Sequence, residues 1–148
     1  MGLDMYLNGT RYLWVNGKDN DKVISKKIGK LFNKIKDFSV KQVEIEVGYW
    51  RKSNAIHKWF VENVQDGEDD CGKYYVGKKQ LEKLKEICEE ILKDKKKAKE
   101  LLPAQSGFFF GNTDYDEFYF DDLKHTIKTI KKALELPEEW DFEYRSSW

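Results

Sequence analysis

Polar and apolar residues alternate with a period of two in a few short windows and with a helical period in longer ones. Residues 4–7 place Met5 and Leu7 on one side and Asp4 and Tyr6 on the other, which predicts a strand. Asn8-Gly9 tolerates positive φ at both positions and predicts a hairpin turn, with residues 12–15 as the partner strand up to a second turn at Asn16-Gly17. Asp19, Asn20 and Asp21 resemble the start of a calcium loop without its glycine and terminal glutamate, so they read as a solvated turn. Over residues 23–35, Val23, Ile24, Ile28, Leu31, Phe32 and Ile35 recur at helical spacing between lysines. That predicts an amphipathic helix packed on the sheet, its lysines forming a solvated outer face.

Residues 42–47 alternate again, with Val43, Ile45 and Val47 on one face, and lead into Gly48, where a missing side chain permits a bend or a close approach. Residues 50–64 predict a helix burying Ile56, Trp59, Phe60 and Val64, with Trp50, Asn54 and His57 in an i, i+4, i+7 row. Residues 65–72 read as a turn-rich loop and residues 73–76 as a short strand. Residues 78–94 carry a helical stripe of Leu81, Leu84, Cys88 and Ile91, widened by Ile87 and Leu92. Lys95, Lys96, Lys97 and Lys99 follow, favourable to the helix dipole, and Pro103 closes the region. Phe108, Phe109 and Phe110 stand between glycines; at least two of them must be buried, in the sheet or against a neighbouring chain. Asp114 or Asp116 can cap a helix that turns Tyr119 or Phe120, Leu123, Ile127, Ile130 and Leu134 inward. After Pro137, Trp140, Phe142 and Tyr144 alternate as a last strand, and the aromatic segment through Trp148 is expected to be pinned into the core. Short strands mixed with four helical segments, without regular β-α alternation, predict an α+β fold: one domain over residues 1–148, a small, mostly antiparallel sheet packed with about four helices.

Composition narrows the function classes. A chain of 148 residues with 40% hydrophobic residues can bury one core without staples. Lysine and arginine (27) balance aspartate and glutamate (27), so no global field concentrates polyanions and generic nucleic-acid binding is disfavoured. Arg11, Arg51 and Arg145 are the only arginines, and each is a candidate anchor for a carboxylate or phosphate. Cys71 and Cys88 are too far apart for a CxxC motif and no secretory segment precedes them, which predicts reduced thiols in a cytoplasmic protein. No apolar run is long enough for a membrane span, and Tyr6 spoils a myristoylation signal at Gly2.

Three constellations could carry chemistry. Tyr49, Trp50, Arg51, Lys52, Asn54 and His57 combine rings, a guanidinium and an amide, the groups needed to stack a planar ligand and hold an anion. Asp66, Glu68, Asp69, Asp70 and Cys71 are the place for a divalent cation if one binds (Asp66, Asp69, Asp70), but no metal-loop spacing matches and a polar turn is the simpler reading. Gln105, Ser106 and Gly107, with Gly111, Asn112, Thr113, Asp114, Tyr115 and Asp116, let backbone N–H groups approach an anion ahead of a helix start. There is no Walker lysine, no GxGxxG, no GxSxG elbow and no evident cofactor motif.

The blocks MGLDMYL, EVGYWRKSNAIHKWFVENVQDGEDDCGKYYV, LLPAQSGFFFGNTDYDEFYFDDL and YRSSW, about half the chain, resemble a family of small phage and bacterial proteins of unassigned function. The resemblance implies that their polar residues share one site: Asp4, Tyr49, Trp50, Arg51, Lys52, Asn54, His57, Gln65, Asp66, Asp69, Asp70, Gln105, Ser106, Thr113, Asp114 and Asp116. The expected function is a non-catalytic phage-type accessory protein that binds a small anionic or nucleotide-like ligand or a host protein. Two alternatives stay open. One is a metal-assisted hydrolase or transferase acting on a phosphorylated substrate; the other is a structural or inhibitory module that forms a homodimer through the phenylalanine triplet.

Overall fold

The computed structural model describes residues 2–148. Strand β1 (Asp4–Tyr12) lies beside β2 (Gln42–Arg51) on one side and β4 (Asp141–Ser147) on the other, and β3 (Lys73–Val76) completes a four-stranded sheet of order β2-β1-β4-β3. Every pairing is antiparallel. The helices are α1 (Asp19–Leu31), α2 (Asn54–Asn63), α3 (Lys78–Lys93), the short α4 (Ala98–Leu101) and α5 (Glu117–Leu134). The fold is therefore α+β, as the periodicity predicts.

One face of the sheet forms the core. Leu3, Met5, Leu7, Trp50, Val76, Phe142 and Tyr144 meet Ile56 and Phe60 of α2, Leu81, Leu84, Cys88 and Ile91 of α3, and Leu123, Ile130 and Ala133 of α5. The predicted stripe of α3 is buried in full. Phe60 stacks on Tyr144 with ring centroids 3.9 Å apart, joining α2 to the centre of the sheet. Gly48 is where α5 crosses β2: a Cβ there would stand 2.3 Å from Thr129 Cγ2. The close approach expected of that glycine is the contact between helix and strand.

Three sequence readings are corrected. Asn8-Gly9 is not a turn but the middle of β1, because β1 is paired on both edges, and Gly9 is needed for packing: a Cβ would meet Val47, Ile45 and Leu136 at 3.2–3.4 Å. The register slips beside Asn8, leaving Val47 as a bulged residue of β2, and residues 12–15 accordingly form no partner strand. The second correction is α1. It begins at Asp19, so the predicted solvated turn is its first turn, and Asp21 is buried, accepting hydrogen bonds from Arg11 Nη2 and the Trp14 N–H, both at 3.0 Å. Its inward face is Asp21, Ser25 and Gly29, while Val23, Leu31 and Phe32 are exposed, so α1 does not lie on the sheet. Small side chains at every fourth position let the helix rest against the loop that follows it; Ile24 and Ile28 of the apolar stripe are half-buried and the rest of α1's stripe is left outside.

The third correction is the stretch from residue 50. β2 continues through Trp50 and Arg51, and α2 starts only at Asn54. Trp50, Asn54 and His57 therefore do not form a helical row. Both cysteines are free, with Cys88 in the core, and no helix among the described residues is long and apolar enough to cross a membrane.

Candidate functional site

The corner between β2 and α2 is tight. Lys52 takes a left-handed conformation (φ 57°), its N–H donates to the Leu3 carbonyl at 2.7 Å, and its own carbonyl accepts from the Asn54 N–H at 2.9 Å. Ser53 then occupies the N-cap of α2, the position where a serine hydroxyl usually accepts from the first-turn backbone, but here it makes no such bond. The residue is 2% exposed and its hydroxyl has no well-formed hydrogen bond; the Asp122 carboxyl is a close neighbour. Among the described residues, the N–H groups of Ala55 and Ile56 likewise find no intramolecular acceptor, as expected of a helix's first turn.

Asn54 holds the second wall. Its amide nitrogen donates to the carbonyls of Phe110 (3.0 Å) and Asn112 (2.8 Å), and its amide oxygen accepts the Gln105 N–H at 3.0 Å. Three bonds from one side chain, 6% exposed, thus close the loop of residues 105–112 into a clamp. Gly111 permits that closure with φ 83° and lies where a Cβ would touch Lys52. Asp116, rather than Asp114, caps α5 by accepting from the Tyr119 N–H. The phenylalanine triplet divides: Phe110 enters the chain's own core, Phe109 is half-buried, and Phe108 is 96% exposed at the loop tip.

Between these walls opens a pocket of about 320 Å³. It is lined by Arg51 to Ile56 at the corner, by Gly111, Asn112 and Asp114 of the loop, and by Phe118, Tyr119, Asp121, Asp122 and Leu123 of α5. Neither Arg51 nor Lys52 is ion-paired among the described residues, although carboxylates line the same pocket; Asp121 instead pairs with Lys124. Burial pushes the Asp122 carboxyl above the ordinary aspartate range, with Ser53 and His125 pulling it partly back. The pocket thus presents unpaired groups of both signs around an open helix N-terminus.

Of the residues singled out in the sequence, Arg51, Lys52, Asn54 and Asp114 line this pocket. The others sit elsewhere. Tyr49 points to the opposite face of β2, where it donates to Asp4 Oδ1, a bond that raises its phenol above the usual tyrosine range. Trp50 faces the core and donates its indole N–H to Thr126 Oγ1 at 2.9 Å. Gln105 contributes its backbone N–H to the clamp, while Ser106, Gly107 and Thr113 are exposed on the loop.

His57 is fully buried in a polar chain of its own. Its Nε2 lies 3.0 Å from Asp69 Oδ2 and its Nδ1 lies 2.8 Å from the Tyr144 hydroxyl. Because a carboxylate only accepts, the neutral ring carries its proton on Nε2 and accepts from Tyr144 through Nδ1. Asp69 also accepts from the Trp148 indole at 3.0 Å, so the C-terminal aromatic is tied to the acidic loop while remaining 44% exposed. Asp70 accepts from the Gly72 N–H, which holds its carboxyl below the usual range. Asp66 is exposed in a turn with φ 52°. No group of three or more His, Cys, Asp or Glu side chains is arranged to hold a metal ion among the described residues.

The sequence reading missed Ser53, Phe118 and Asp122. A serine just before Asn54-Ala55-Ile56 is an N-terminus signal, but a helix start at residue 50 places it inside the helix and hides it. Comparison of the chain with protein-family models, with curated proteins and with solved structures finds no match.

Proposed function

We propose that this protein binds a small anion-bearing ligand at the N-terminus of α2. The observation that carries the reading is Ser53: a 2% exposed residue of the pocket lining whose hydroxyl, beside the Asp122 carboxyl, has no well-formed hydrogen bond among the described residues, next to the free N–H groups of Ala55 and Ile56. Leaving a buried polar group unsatisfied costs about 1–3 kcal/mol, and an anion accepting from the hydroxyl and both amides would remove that cost. Arg51 and Lys52, unpaired at the rim, supply the compensating charge. Lys52 also holds a left-handed backbone that side chains other than glycine adopt at a cost of about 1–3 kcal/mol, a kind of strain that clusters at binding sites. An accessory role of phage type rests on the resemblance of the four sequence blocks alone, and the pocket residues Arg51 to Ile56, Ala104, Gly111, Asn112 and Asp114 all fall within those blocks.

The test is thermal unfolding of the full chain against inorganic phosphate and sulfate. At a hundredfold excess over Kd, binding to the folded state adds about 2.7 kcal/mol, which raises Tm by roughly 5–10 °C for a chain of this size. Arg51→Ala and Ser53→Ala should each remove most of that rise while leaving the ligand-free Tm within a few degrees. A folded protein whose Tm ignores both anions into the tens of millimolar range would refute the reading.

A further inference from the structure

From three chemically different linings of this one pocket, we infer that its ligand is a nucleoside monophosphate, with the phosphate at Ser53 and Arg51, the ribose diol on Asp114 and Asp122, and the base against Phe118. This rests on the anion-binding reading above and specifies what else the ligand must carry. A bare anion would answer the cationic corner alone and would leave two carboxylates facing it, an arrangement that repels it. The unpaired carboxylates instead call for hydrogen-bond donors on the ligand, and a vicinal diol offers two; a carboxylate on a ribose hydroxyl is a recurrent way of holding a nucleotide sugar. Phe118 supplies the third part. It lines the pocket from the first turn of α5 yet is 78% exposed, so its ring face is available to a planar group.

The size of the cavity agrees. About 320 Å³ is at the lower end of the roughly 300–1,000 Å³ typical of small-molecule sites, room for a single nucleotide rather than an oligonucleotide. The neutral net charge of the chain argues the same way, since a nucleic-acid backbone has no extended basic field to follow here.

Isothermal titration calorimetry of the full chain with inorganic phosphate, ribose 5-phosphate and adenosine monophosphate separates the parts. The expected affinities rise in that order, adenosine monophosphate exceeding ribose 5-phosphate by roughly tenfold or more from ring stacking. Phe118→Ala, an exposed position, should erase that last increment without altering the Kd for phosphate. Asp114→Asn should weaken ribose 5-phosphate and adenosine monophosphate alike relative to phosphate, whose own affinity, relieved of one facing carboxylate, should hold or rise. If phosphate binds but adenosine monophosphate binds no tighter, or if Phe118→Ala leaves the adenosine monophosphate Kd unchanged, the nucleotide assignment is overturned and the anion site stands. If none of the three binds, the anion site itself falls.

Discussion

Asn54 shows how one residue can be central to a pocket by holding its wall in place. Both amide hydrogens and the amide oxygen are engaged by the backbone of residues 105–112. Asn54→Ala would strand two carbonyls and an N–H at a largely buried site and is expected to cost about 3 kcal/mol, read from urea denaturation. A loss under 1 kcal/mol would show that the loop closes without the clamp. In the sequence Asn54 reads as one polar residue among several beside Arg51, and only the fold distinguishes its bonds from the unspent ones of Ser53. His57 was ambiguous for the same reason. A histidine two residues before Trp59 fits a ligand-contact reading and a buried structural reading equally well until the partners, Tyr144 and Asp69, are brought in from 87 and 12 positions away.

Elements were legible in proportion to how far local pattern and packing agree. In α3 they coincide, so its stripe was read correctly down to Cys88. In α1 they diverge, because the contact face is made of Asp21, Ser25 and Gly29, which no hydropathy pattern marks as buried. In β1 the strong turn signal of Asn8-Gly9 is overridden by strands on both sides, a tertiary effect that local propensity does not carry. Gly48 is the opposite case, a glycine whose sequence context allows a bend or a close approach, and α5 lying against it makes the second its role. Gly48→Ala would force Thr129 and Trp50 aside and should destabilise the protein by about 1–3 kcal/mol in a denaturant titration. The double variant with Thr129→Ser, which removes the Cγ2 that the new Cβ would meet, should recover part of that loss; if it recovers none, the helix–strand contact is not what Gly48 serves.

At the scale of the whole molecule, the core buries acids that ionise once the chain unfolds, and this sets an alkaline limit on stability. Burial raises the Cys88 thiol to about 12, from about 9 in the unfolded chain. It also raises the Tyr144 phenol well above 10, with Asp69 and Cys71 adding to the effect. Both groups therefore keep their protons in the folded state after the unfolded chain has released them, so unfolding releases protons and stability must fall as pH rises. The decline should begin near pH 9 at about 1.4 kcal/mol per pH unit from Cys88 and steepen above pH 10 to about 4 kcal/mol per unit as Tyr144 and Tyr119, whose phenol burial also raises, join. Guanidinium titrations at pH 8, 9, 10 and 11 should show this two-stage loss. Cys88→Ala, though weaker at every pH, should flatten the segment between pH 9 and 10, and Tyr144→Phe the steeper one above it. Stability that holds level to pH 11 would mean that the core admits enough water to ionise both groups in place, which the packing of Phe60 on Tyr144 opposes.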